Sequence, residues 1–293
     1  MTPVVQVRAG RREVPVKRPD KTMFGEGGAT KLDLARYFVS VAPLMVPQIR
    51  GRPVALERLP DGIDGERFYV KHPHAPDWVG QVATSGGRMI LCQDAAVLVW
   101  CADQAALTQH VWLSREPNLG RPDRMILDLD PPGGGDPAAA FDACRTAAHE
   151  AREVLEGLGL AAYVMTTGSR GLHVHSPLRP ELGDQEVREL AKAIAERIAA
   201  GRPDDLTTEF RKDARRGRLF VDYLRNGREQ LAVAPYAVRA RPGAPVATPV
   251  TWAELERLET AADFTIADER TGCPFQGMGR HARSPKKAAR ALG

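Results

Sequence analysis

The sequence predicts an α/β (α+β) fold built around a central sheet. Three observations carry that prediction. Short apolar strand-like runs alternate with amphipathic helical runs. Most helical runs open on a capping signal. The hydrophobic fraction of 43% is enough for a packed core.

The first helix is predicted from Thr30, which can cap together with Asp33, with Leu32, Ala35, Phe38 and Val39 recurring at helical spacing. Residues 54–112 hold short β-rich runs with turn punctuation, and residues 124–129 form a compact apolar run that suits a buried strand. Asp136 and Pro137 open a helix that ends near Gly157 and Gly159. Strands follow over residues 161–166 and, after a tight glycine turn, 172–176. Asp184 caps a helix whose apolar stripe is Val187, Leu190, Ala191, Ile194 and Ile198. Residues 219–223 read as a strand, and Thr251 with Glu254 makes a capping box for a late helix.

The chain of 293 residues has a formal net charge of +4 and a pI of about 9.0. That mild excess permits an anionic partner and equally suits a basic enzyme with a small substrate. Cys92, Cys101, Cys144 and Cys273 form no C-x-x-C pair and no zinc pattern, and suit reduced thiols in a cytoplasm. No apolar h-region opens the chain, and no run of about 18 apolar residues spans a membrane. Residues 1–18 are expected as a loose basic arm, 19–275 as the catalytic domain, and 276–293 as a basic tail.

The sharpest local signal is Asp128-Leu129-Asp130-Pro131-Pro132. Alternate strand residues share a face, so the two carboxylates point the same way. Carboxylates side by side repel unless a cation lies between them, and Mg²⁺ or Mn²⁺ takes oxygen ligands. The prolines and Gly133 to Gly135 end the strand at once, which places both acids at a sheet edge within reach of ligands. A solvated strand end with two capping acids has the same pattern. Asp222, in the apolar strand Leu219-Phe220-Val221-Asp222-Tyr223, is a third acid, costly there unless a metal or an arginine stabilises it. Three acids on neighbouring strands match two-metal phosphoryl transfer.

Opposite charge comes from the segment Gly168-Ser169-Arg170-Gly171-Leu172-His173-Val174-His175. Its glycines allow a tight turn, and Ser169, Arg170 and His173 can bind phosphate oxygens. A strand-turn-strand with a satisfied core histidine is the plainer alternative. Arg211, Lys212, Arg215, Arg216, Arg218, Arg225 and Arg228 form a basic stretch around Asp222, and Arg239 and Arg241 follow. Lys31 falls in the first turn of the Thr30 helix, where anions are favoured, and Lys21 can approach from the preceding loop. Phe68 and Tyr69, followed by Lys71 and His72, suit stacking on an unpaired base, and a core strand is their rival reading.

In order along the chain, Pro19-Asp20-Lys21, Lys31, Phe68-Tyr69-Val70-Lys71-His72, His110-Val111-Trp112, Asp128-Leu129-Asp130-Pro131, Gly168-Ser169-Arg170-Gly171-Leu172-His173, Val221-Asp222-Tyr223 and Ala234-Pro235-Tyr236-Ala237-Val238-Arg239 resemble one family. It is the primase-polymerase domain of bacterial ligase D, within the archaeo-eukaryotic primase superfamily, and the resemblance runs over about residues 15–260. The resemblance implies an RRM-like catalytic sheet packed against an N-terminal α/β part. It implies that Asp128, Asp130 and Asp222 hold two metal ions, Mn²⁺ or Mg²⁺, and that Ser169, Arg170, His173, Arg215 and Arg239 contact the incoming NTP or dNTP, with His110 nearby. It further implies that Lys21 and Lys31 grip a downstream 5′-phosphate, and that Phe68, Tyr69 and Lys71 stack on DNA.

The activity so implied is addition of nucleotides, ribonucleotides preferred, to primer 3′ ends at gaps or double-strand breaks. The implied setting is bacterial non-homologous end joining with Ku and a DNA ligase, in the nucleoid-associated cytoplasm. Primer-free priming, a non-catalytic DNA-end-binding module and a metal-dependent phosphoesterase are the rival activities. Two positions depart from the family pattern. Arg225-Asn226 stands where Gln-Asn is frequent, and Arg170 stands where lysine is common, keeping the charge but not its geometry. No ligase-type Lys-x-Asp-Gly motif and no phosphoesterase segment are found, as expected of a stand-alone polymerase or of one piece of a larger enzyme.

Overall fold

A computed structural model describes residues 3–292, and the chain divides into two compact units. The first comprises Met1–Trp112, Leu231–Ala247 and Phe264–Gln276; the second comprises Leu113–Gln230, Thr248–Asp263 and Gly277–Gly293. The two units share out the stretch 19–275, and the chain enters each more than once. The physical reason is that each has its own sheet with helices packed on it, and hence its own core.

In the first unit the helix Lys31–Ile49 starts at the predicted cap. Thr30 and Asp33 close a capping box, and Leu34, Phe38, Met45 and Ile49 are fully buried on one stripe. A six-stranded sheet is built from Ala232–Val233, Ala106–Val111, Pro53–Arg58, Gly87–Leu91 and Gln81–Thr84, with Phe68–Val70 pairing onto Pro53–Arg58. The N-terminal residues expected as a loose arm instead form an antiparallel hairpin, Val4–Ala9 with Arg12–Lys17. Val7, Val14 and Val16 alternate inward there, and burying that apolar face orders a segment whose charges all point outward.

The second unit carries the sheet that matters for chemistry. Its strands are Leu206–Thr207, Leu219–Asp222, Arg124–Asp130, Leu172–Pro177, Tyr163–Thr166 and Pro249–Val250, in that spatial order. Arg124–Asp130, the helix Pro137–Gly157, Tyr163–Thr166, Leu172–Pro177, the helix Asp184–Gly201 and Leu219–Asp222 make a β-α-β-β-α-β unit, the split βαβ arrangement expected of an RRM-like sheet. Asp136 caps the first helix, with Pro137 in its first turn. Gly183, one residue before the predicted Asp184, is the cap of the second, and Glu186 closes the box. The basic tail is ordered too. Met278–His281 is a 3₁₀ turn, Pro285–Leu292 is a helix that buries Ala288, and Ser284 donates a hydrogen bond to Glu181. Residues 1, 2 and 293 of the predicted arm and tail lie outside the described residues. Among the described residues, no helix is long and apolar enough to cross a membrane.

Candidate active site

Strand Arg124–Asp130 is an interior strand, with Leu219–Asp222 on one side and Leu172–Pro177 on the other. The expectation of a sheet edge is corrected accordingly: both neighbours supply backbone partners, and Asp130 is reached over the strand's C-terminal end. Asp128 pairs in register with Asp222 on one neighbour and with His173 on the other. Residues directly opposite one another share a face, so this row, with Asp130 two residues on, forms one polar surface. A ligand oxygen of each of Asp128, Asp130 and Asp222 lies within 4.8 Å of the others.

The turn Thr167-Gly168-Ser169-Arg170-Gly171 enters the His173 strand. Gly168 has φ +63°, and Thr167 closes the turn through hydrogen bonds to and from the Gly171 backbone. Gly171 is required for a different reason: a Cβ there would meet the Leu129 carbonyl oxygen at 2.1 Å. On the other side, Asn226 holds the acid strand. Its side chain accepts from the Ile126 N–H at 2.9 Å and donates to the Ile126 carbonyl at 2.7 Å, as a neighbouring strand would. In the sequence Asn226 was legible only as the conforming neighbour of Arg225, and its buried amide explains why an amide belongs there.

Burial, then the charges of Asp128 and Asp222, push the Asp130 carboxyl up to about 6, although His173 and Arg225 oppose the shift. Asp222 is raised for the same reasons, burial first and then Asp128. Arg225 partly offsets this repulsion, its Nε lying 3.5 Å from both Asp128 and Asp222. His173 Nε2 is 3.4 Å from Asp128, and the Leu224 N–H donates to Asp222 at 2.6 Å. Buried carboxylates this close, one held partly protonated near neutrality, fit a hard divalent cation, which removes the repulsion and takes oxygen ligands. The cluster can therefore bind a metal.

A stability prediction follows. A carboxyl raised in the fold carries no penalty below its unfolded value of about 4; the penalty grows as pH rises from there to about 6 and is full above it. In chelator, Asp130→Asn is expected to melt a few degrees above wild type at pH 7.5, a difference on the order of 2 kcal/mol, and to match it near pH 3.5. Equal melting at both pH values in calorimetry would count against it.

Beside Asp130, a cavity of about 450 Å³ is walled by Pro131, Pro132, Gly133, Arg170, Lys212, Arg215, Gly217 and Arg218. The acid cluster thus adjoins a cationic chamber. Ser169, Arg170, His173 and Arg215 belong to the same unit as the three acids, whereas His110 and Arg239 belong to the other unit. Lys212 and Arg218, legible only as members of a basic stretch, also line the cavity. Arg215 has structural work as well, because it donates to the Glu209 and Phe210 carbonyls and lies 3.8 Å over the Phe220 ring. His175, on the same strand, is buried with its ring 5.7 Å from that of His173.

In the first unit Lys21 and Lys31 meet, since Thr22 bridges Thr30 and the Lys31 N–H donates to the Lys21 carbonyl. Lys21 Nζ contacts Asp61 at 2.7 Å and the Pro60 carbonyl at 2.6 Å. Lys31 is buried, 3.5 Å from Asp103, and burial pulls its pKa down. The helix start is also occupied: the Lys31, Leu32 and Asp33 N–H groups donate to Lys21 O, Pro19 O and Thr30 Oγ1. The backbone N–H groups of this helix start are thus already bonded, which leaves side-chain charge as what the corner offers an anion. Phe68 and Tyr69 are 42% and 61% exposed, which sets aside the core-strand alternative, and Lys71 is exposed beside them.

His110 and Glu57 form a pair that sequence reasoning saw only in part. His110 Nε2 is 3.3 Å from the buried Glu57 carboxylate, Arg67 is 3.0 Å from it, and the Tyr69 ring lies 6.0 Å from the His110 ring. Burial alone would raise Glu57, but hydrogen bonds from His110 and Thr108 and the nearby charges hold it down at about 2. Glu57 lies in a strand where a lone carboxylate is costly, and that was the available signal.

The family model described as "LigD, primase-polymerase domain" matches residues 30–273. The chain is 37% identical over 265 residues to the multifunctional non-homologous end joining protein LigD of Pseudomonas aeruginosa, covering 88% of this chain and 31% of that protein. It is 31% identical over 264 residues to the bifunctional non-homologous end joining protein LigD of Bacillus subtilis, covering 87% of this chain and 42% of that protein. The chain thus spans about a third of the length of the first curated relatives it matches. The solved polymerase domain from Mycobacterium tuberculosis ligase D, in complex with DNA, superposes with a TM-score of 0.82 at 31% identity, covering 92% of this chain and 99% of that one. With its acids gathered on the β-α-β-β-α-β sheet and the match running over residues 30–273, the chain belongs to the LigD primase-polymerase domain family.

Proposed function

We propose that the chain is a DNA-repair nucleotidyltransferase that adds nucleotides, ribonucleotides among them, to primer 3′ ends at gaps or double-strand breaks. The observation that carries this reading is the seat of Asp128, Asp130 and Asp222 within 4.8 Å, opening beside a chamber walled by Arg170, Lys212, Arg215 and Arg218. Asp128, Asp130 and Asp222 would hold two divalent ions, Mn²⁺ or Mg²⁺. Such ions, when bound, polarise the primer hydroxyl and screen the phosphates of an in-line displacement. Ser169 and Arg170 bind the triphosphate, and the cationic chamber neutralises charge as it develops on the leaving pyrophosphate. His173 holds Asp128 from the side opposite Asp222 and so orients it.

Phe68, Tyr69 and Lys71 are assigned to stacking on DNA, which their exposure supports. Partnership with Ku and a DNA ligase in the bacterial cytoplasm is part of the same proposal, and the end-joining names of the relatives support it. The test is extension of a labelled primer across a short gap with a downstream 5′-phosphate, in Mn²⁺. Extension by wild type and none by Asp128→Ala is expected; firm gap binding without extension by either would favour a DNA-end-binding module.

Lys21 and Lys31 are assigned to the downstream 5′-phosphate, with Lys21 as the donor that moves. Its partner Asp61 is 77% exposed and can yield, whereas Lys31 stays paired and adds field. Lys21→Ala with Lys31→Ala is expected to erase the preference for phosphorylated over unphosphorylated gaps, about five-fold or more in affinity. An unchanged preference in a binding titration would remove these lysines from the role.

A further inference from the structure

Among the described residues the most exposed large apolar side chain is Phe210, at 67%. It lies in the segment between the strand Leu206–Thr207 and the 3₁₀ turn Lys212–Arg215. The backbone on both sides of it is tied down. The Glu209 N–H donates to Thr207 Oγ1, the Arg211 N–H donates to the Glu209 carboxylate, and Arg215 donates to the Glu209 and Phe210 carbonyls at 3.0 Å each. Arg215 is itself stacked on Phe220, whose register partner is Asp130. The chain thus anchors this backbone to the acid-bearing sheet and leaves the ring outside.

A fixed backbone with a free aromatic face loses little entropy when a flat partner arrives. The surroundings say which partner. Residues 211–218 carry five cations against one acid, Asp213, to which Arg211 is paired at 2.7 Å. Lys212 and Arg216 are exposed, and Lys212, Arg215 and Arg218 line the chamber that Asp130 opens on. An apolar protein surface would bury these charges at a cost, whereas a polyanion with flat π-faces satisfies ring and cations together.

We propose that Phe210 is a stacking platform for an unpaired base of single-stranded DNA, whose phosphates lie on Lys212 and Arg216. The platform serves the DNA substrate of the proposed nucleotidyltransferase and rests on that reading for its purpose. Its test is equilibrium binding, with no nucleotide and no metal. The anisotropy of a labelled single-stranded oligonucleotide is titrated with the whole chain as wild type, Phe210→Ala and Phe210→Trp. Phe210→Ala is expected to weaken binding roughly ten-fold and Phe210→Trp to restore it, with the slope of log affinity against log salt unchanged because no phosphate contact is lost. On an oligonucleotide with abasic positions in place of bases, wild type and Phe210→Ala are expected to bind alike. Affinity of Phe210→Ala within about two-fold of wild type, or an equal loss on the abasic strand, overturns the platform. Primer extension with the wild type is scored separately. Its failure alongside a base-dependent Phe210 effect would remove the polymerase reading and leave the platform standing.

Discussion

Asp128→Ala is expected to reduce nucleotide addition by at least about three orders of magnitude, the largest effect of any single change in this chain. Asp128 is the centre of the row, in register with both Asp222 and His173, with Asp130 two residues along the same face. Its loss leaves two carboxylates on different strands, with Arg225 free to settle on Asp222 alone. The metal should be lost together with the chemistry. At a hundred-fold excess over its dissociation constant, Mn²⁺ stabilises wild type by about 2.7 kcal/mol, and Asp128→Ala should lose most of that shift. The fold itself should survive, because the substitution also removes the Asp128 charge, which after burial is the largest cause raising Asp130. Melting curves with and without Mn²⁺, run beside the extension assay, check both halves. Extension within ten-fold of wild type would mean that the chemistry lies elsewhere.

Gly171→Ala is expected to be the most damaging one-carbon change, at about 3 kcal/mol. The new methyl would sit 2.1 Å from the Leu129 carbonyl oxygen and 3.4 Å from the Pro131 ring. Leu129 lies between Asp128 and Asp130, so the neighbour that must move is backbone, and moving it separates two carboxylates of the acid cluster. Gly157→Ala is the control: nothing lies within 4 Å of a Cβ there, at the end of a helix. It should cost less than about 1 kcal/mol, or gain stability through helix propensity. Urea midpoints for the two variants measure the difference, and equal midpoints would mean that the Leu129 strand yields at little cost.

The two changes differ in how far the sequence announces them. Asp128 and Asp130 are spaced two apart in an apolar run, and period-two geometry is a property of any strand, so their shared face was legible before any fold was known. The helix caps at Thr30, Asp136 and Thr251 were legible for the same reason: a cap is a local exchange of hydrogen bonds over three residues. The third acid was legible as an anomaly, a carboxylate in an apolar strand. That it meets Asp128 in register depends on which strands pair, over a separation of some ninety residues.

What folding added is everything set by long-range contact. The basic ends read as loose because charge dominates them, yet Val14, Val16 and Ala288 find burial there that no local window reveals. Lys31 reads as a cation at a helix start, but Asp103, far along the chain, comes to lie 3.5 Å away and burial claims the pair. Arg225 reads as a departure from a motif and Asn226 as its conforming neighbour; in the fold one lies between the Asp128 and Asp222 carboxylates and the other completes the hydrogen bonding of the acid strand. Periodicity and capping reach only one turn or one strand along the chain, so the order of elements and the acid pair were local facts. Pairing register, burial and charge compensation depend on partners brought from elsewhere, and they became definite only when the sheets closed.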